Sequence, residues 1–144
     1  MDFTCFQNPC PVKGECNVKD TIYECIVTNN KEEKFKYIGK CSTQFIKRYR
    51  NHTKAIKNKK YSKNSELSKK IWQLKDEGVE YSMEWNLRKS VKSYQPGNQY
   101  CRLCLEEVHQ IIFYCEPETL LNERNELYKK CRHKKKFKLN AKLN

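Results

Sequence analysis

Two alternating runs separated by a short polar break constrain this chain most. Thr21 to Val27 alternates around β-branched and aromatic residues, Asn29 to Lys34 is polar throughout, and Phe35 to Gly39 resumes the alternation. A period of two on both sides of a turn reads as a β-hairpin. Downstream the period changes. Ser42-Thr43 can cap a helix running to about Lys57, with Phe45, Tyr49 and Ile56 on one side. Asn64 or Ser65 can cap a second helix, in which Leu67, Ile71 and Leu74 share a face beside Trp72 and Gly78 marks the end. Tyr81, Met83, Trp85 and Leu87 alternate with polar residues as a third strand over 80–88.

A loop through Pro96 and Gly97 follows, and then a helix from Cys101 to Tyr114 that buries Leu103, Val108, Ile111 and Ile112. Pro117 breaks it, and Glu123 to Lys130 reads as a short fourth helix. This order predicts an α+β fold, a small three-stranded antiparallel sheet flanked by helices, over residues 21–128. Residues 1–20 form a cysteine- and proline-rich leader, and 129–144 a basic tail.

A chain of 144 residues has room for one such domain with one modest core. Two Trp, nine Tyr and six Phe argue for a packed interior, since disordered chains are poor in aromatics. No apolar run approaches the ~20 residues of a membrane span. The N-terminus has neither a basic nor an apolar signal region, so the expectation is a soluble, intracellular protein without a membrane partner. A net charge of +13 favours association with a polyanion, of which nucleic acid is the commonest. Lysine accumulated for solubility is the plainer account of the same number.

The third helix carries two adjacent carboxylates. Glu107 stands four residues from both Leu103 and Ile111, along the buried side, whereas Glu106 is turned further away. A carboxylate beside an apolar face needs a metal or a partner to offset its desolvation. On the first helix Arg48 and His52 stand four apart and share a face, and an arginine fork suits phosphate. Phosphodiester hydrolysis needs such a set: a group to position water, a cation for the oxyanion and a carboxylate-held metal for the leaving oxygen.

In this order, Thr21-Ile22-Tyr23, Tyr37-Ile38-Gly39, Arg48, Glu107 and Asn122 resemble the GIY-YIG nucleases, in particular the endonuclease module of Penelope-like retroelements. The resemblance covers roughly residues 21–124 and departs at Thr21, where the family usually has glycine. It implies that Tyr23 orients or deprotonates the water with Tyr37 assisting. Arg48, with His52 on the same face, would bind the scissile phosphate, Glu107 would hold one Mg²⁺ (or Mn²⁺), and Asn122 would order the site. It further implies DNA as substrate and a reverse transcriptase or other mobile-element protein as a partner. Taken singly, each residue has a plainer account: cross-strand packing for the tyrosines, solvated charges for Arg48 and Glu107, a helix cap for Asn122.

Nine cysteines in an intracellular chain point to metal ligands or plain thiols rather than disulfides. Cys10 and Cys16 before the first strand, with the C-x-x-C pair Cys101 and Cys104, suit a tetrahedral structural Zn²⁺. Cys131 with His133 is the rival second half, and Cys5 is a further substitute. Cys25, Cys41 and Cys115 read as plain thiols. The run through Lys134, Lys135 and Lys136 suits DNA-backbone contact and a nuclear-localisation signal, with Arg50 and Lys54 adding to it from the first helix. Beside a metal-dependent endonuclease stand two alternatives: a zinc-stabilised nucleic-acid-binding module without catalysis, and a secreted disulfide domain, which the missing signal sequence disfavours.

Overall fold

The computed structural model describes residues 10–92, 101–114 and 118–122. Residues 93–100 of the loop expected over 90–100, the fourth helix, the tail, Cys5, Cys115, Cys131 and His133 lie outside the described residues. Strands β1 (Thr21–Asn29), β2 (Lys34–Cys41) and β3 (Tyr81–Ser90) form one antiparallel sheet in the order β2-β1-β3. Helices α1 (Phe45–Lys57), α2 (Glu66–Asp76) and α3 (Arg102–Tyr114) flank it, so the fold is α+β. The hairpin turn is organised by Asn29, whose side-chain oxygen accepts from the backbone of Lys31 and of Glu33, both at 2.9 Å.

β1 takes the centre because both of its faces are covered. Tyr23, Cys25 and Val27 point into one cluster with Phe45, Ile46, Leu67, Ile71, Leu74 and Trp85, which belong to α1, α2 and β3. Ile22 points the other way, joining Ile38 of β2 and Cys101, Leu103 and Ile111 beside or within α3. Adjacent residues thus feed different cores, as strand alternation requires. Each fully buried large side chain contributes about 1.5–3 kcal/mol.

α1 is not capped by Ser42 or Thr43. Its N-cap is Gln44, with no side-chain hydrogen bond, because the leader supplies the acceptors. The amide of Phe45 donates to the Val18 carbonyl at 2.9 Å and that of Ile46 to Cys16 at 2.7 Å. α2 follows expectation: Ser65 and Ser68 form a capping box, and Gly78 follows its end at φ +69°. On α3 Ile112 is exposed rather than buried, since it lies about 100° round the helix from the buried Ile111.

Two irregularities shape the sheet. The β1–β3 register passes from Tyr23↔Leu87 to Ile22↔Lys89, a bulge that leaves Arg88 without an opposite residue. On the other side, the outer edge of β2 is not open. The Lys36 amide donates to Thr119 at 2.9 Å, and the Leu121 amide donates to the Lys36 carbonyl at 2.8 Å. Residues 119–122 therefore run along β2 as an added parallel edge.

Candidate active site

Tyr23 lies at the centre of an aromatic group. Its ring packs against Phe45 at 5.2 Å, His52 at 5.8 Å, Trp85 at 6.1 Å and Tyr37 at 6.4 Å between centroids. Its hydroxyl lies 2.7 Å from Nε2 of His52. Opposite it in the register is Gly39. A Cβ added there would fall within the Tyr23 ring, so the ring occupies the space a side chain at residue 39 would fill. The glycine of Tyr37-Ile38-Gly39 is thus required by the tyrosine of Thr21-Ile22-Tyr23.

Burial, and then the neighbouring Tyr37, hold the Tyr23 phenol well above its ordinary pKa, with Arg48 opposing. Burial and the Arg48 guanidinium together push His52 down to about 4. At neutral pH the pair is therefore a protonated phenol hydrogen-bonded to a neutral imidazole. Arg48 itself is exposed one helical turn before His52, and its Nη2 donates to the Lys40 carbonyl at 3.4 Å.

The carboxylate of Glu107 reaches the same region from the opposite side of the sheet. α3 lies over the Ile22–Ile38 face, and Glu107 meets Lys40 of β2 with Oε1 3.2 Å from Nζ. The same ammonium donates to Cys104 Sγ at 3.3 Å. Burial lowers the lysine pKa, but Glu107 and Cys104 outweigh it, so the pKa is raised and the ammonium stays charged. The phenols and Glu107 thus approach the Gly39–Lys40 step from two faces, and Glu107 acts on Tyr23 through space. Sequence reasoning missed Lys40. Its place was legible, since it follows Gly39 and shares its strand face with Ile38.

Asn122 is a clamp on β2. Its Oδ1 accepts from the Ile38 amide at 2.9 Å, and its Nδ2 donates to the Ile38 carbonyl at 2.7 Å. Both backbone groups of the residue between Tyr37 and Gly39 are engaged by one side chain. Asn122 orders the strand that carries Tyr37, Gly39 and Lys40.

A second polar cluster, also missed, lies under α3. Glu24 is buried on β1, and its carboxylate accepts from Arg88 Nη1 at 2.6 Å, with Lys36 at 3.5 Å and Asn86 at 3.3 Å. Arg88 Nε donates to Gln110 at 2.7 Å, and Gln110 donates to Glu106 at 2.8 Å. Glu106 is consequently not turned away: its side chain is 14% exposed, against 15% for Glu107. The helix bearing both carboxylates rests on polar groups rising from the sheet, which apolar periodicity does not reveal.

The expected metals fare differently. Mg²⁺ takes hard oxygen ligands and retains several waters. Glu107 offers one carboxylate of that type, enough for an ion completed by phosphate and water, although Lys40 now engages it. The zinc quartet is not assembled. Cys10 and Cys16 belong to the Tyr23 side of the sheet, whereas Cys101 and Cys104 belong to the Ile22 side. Cys16 is disulfide-bonded, contrary to the expectation of a metal ligand. Among the described residues no three His, Cys, Asp or Glu side chains form a metal-holding group. Arg50 and Lys54 are exposed on α1, with Lys54 Nζ 4.7 Å above the Tyr61 ring. Lys134, Lys135 and Lys136 lie outside the described residues. No described helix is long and apolar enough to cross a membrane. No family model, characterised protein or solved structure matches the chain.

Proposed function

We propose that the protein is a metal-dependent DNA endonuclease that hydrolyses phosphodiester bonds, nicking DNA for a mobile element in the nucleus. The observation that carries this reading is the hydrogen bond between Tyr23 and His52, packed against Gly39 and one turn from Arg48. In this reading Arg48, exposed and always charged, receives the scissile phosphate. Tyr37, half-buried, is the more accessible phenol and orients the water, while Tyr23 holds in place His52, the group that would take up a proton. Binding a phosphate offsets the Arg48 charge that helps depress His52, so the imidazole becomes a better base when substrate is present. Glu107 would hold Mg²⁺, which when bound supplies charge stabilisation to the leaving oxygen. The surplus of +13 supplies affinity for the DNA backbone.

The test is incubation of supercoiled plasmid with the full chain, with and without Mg²⁺ or Mn²⁺. Wild type gives metal-dependent nicked product, and Glu107→Ala gives none while binding DNA as before. Metal-dependent cleavage by the purified Glu107→Ala protein would refute the assignment.

A second reading is a nucleic-acid-binding module without catalysis. The engagement of Glu107 by Lys40 and the nearly complete burial of Tyr23 favour it. Its signature is salt-sensitive DNA binding with no cut product under either metal.

A further inference from the structure

Resting on the reading of Glu107 as the metal-holding carboxylate, we propose that Lys40 is a tethered competitor cation, which a divalent metal must displace and which thereby sets the metal affinity of the site. The Lys40 ammonium makes two contacts there, 3.2 Å to Glu107 Oε1 and 3.3 Å to Cys104 Sγ. The pair is partly shielded, with side chains 27% and 15% exposed, so water screens it less than an ordinary surface pair.

A Mg²⁺ ion bonded to that carboxylate would stand about 2.0–2.1 Å from the oxygen. That places a dication in the space the ammonium occupies, and two cations there repel. The lysine must leave for the metal to enter. Its flexible four-carbon stem and well-hydrated head allow this, and an arriving phosphate offers the freed ammonium a new partner. Metal alone therefore binds weakly, and the site fills when the polyanion arrives with it. The position of Lys40 supports the role: it is in β2, whose Ile38 is clamped by Asn122, and it follows Gly39 beneath Tyr23.

The distinguishing experiment is calorimetric titration of Mn²⁺ into the full chain without DNA, with circular dichroism as the check on folding. Lys40→Gln tightens Mn²⁺ binding by about tenfold, the scale expected when one partner of a shielded ion pair is removed. Lys40→Arg, which keeps the charge, does not tighten it, and adding Glu107→Gln to Lys40→Gln abolishes the gain. Lys40→Met serves as a second neutral variant should Lys40→Gln misfold. A folded Lys40→Gln or Lys40→Met protein that binds Mn²⁺ no more tightly than wild type overturns the role of Lys40, while Glu107-dependent binding in wild type keeps the metal reading alive. Absence of Glu107-dependent Mn²⁺ binding in wild type and variants alike overturns both.

Discussion

The phenol oxygen of Tyr23 and Nε2 of His52 lie 2.7 Å apart, a single buried bond joining the central strand to the first helix. It ties the two elements that carry the candidate phosphate-handling groups.

Tyr23→Phe removes the hydroxyl and leaves the imidazole nitrogen unsatisfied in the core. The expected loss is about 1–3 kcal/mol of unfolding free energy, with little change in the denaturant slope. Urea unfolding checks it. A loss of only a few tenths would mean that His52 finds another partner.

Stability should depend on pH through His52. Its pKa is near 4 in the folded protein and near 6.5 in the unfolded chain, so between these values only the unfolded chain binds the proton. The contribution is fully present above about pH 6.5 and is lost as pH falls towards 4, amounting to about 3 kcal/mol over the window. Urea midpoints between pH 7 and pH 4.5 measure this slope. In His52→Phe, less stable at neutral pH, the histidine part of the slope should vanish.

Arg88→Met should be severe. It strands the buried carboxylate of Glu24, which Arg88 meets at 2.6 Å, and the expected cost is about 3 kcal/mol or more. Pairing it with Glu24→Leu should recover most of the loss. A double variant as unstable as the single would show that Lys36, Asn86 and Gln110, rather than the ion pair, set the penalty.

Asn122→Ala frees both backbone groups of Ile38. Amide exchange over 36–40 should accelerate at least about tenfold, corresponding to roughly 1.4 kcal/mol of lost local protection. Exchange mass spectrometry at peptide resolution tests this, and unchanged protection there would show that Thr119 and Leu121 hold the edge alone.

The strands, the apolar faces of α1 and α2 and the Ser65 cap were legible because each is a local pattern. So was the meeting of Tyr23 with His52's helix, through the order of motifs. What was hidden depended on distant partners. Glu24 reads as the polar position of an alternating strand until α3 covers that face, and the bulge at Arg88 turns the matching guanidinium beneath the helix. Glu106 fails the same way: apolar periodicity assigns it outward, whereas Gln110 and Lys89 hold it. Ser42 and Thr43 looked like caps, but the Cys16 and Val18 carbonyls arrive first. The two cysteine pairs read as halves of one site and nevertheless fall on opposite faces of the sheet.

The bridge that residues 119–122 make to β2 has an implication for handling the protein as much as for its fold. An unguarded flank invites a neighbour's strand, the first step towards insoluble fibrils. Here that berth beside Lys36 is already taken by the molecule's own later segment, so loosening it by mutation should show first as clumping at high concentration rather than as unfolding.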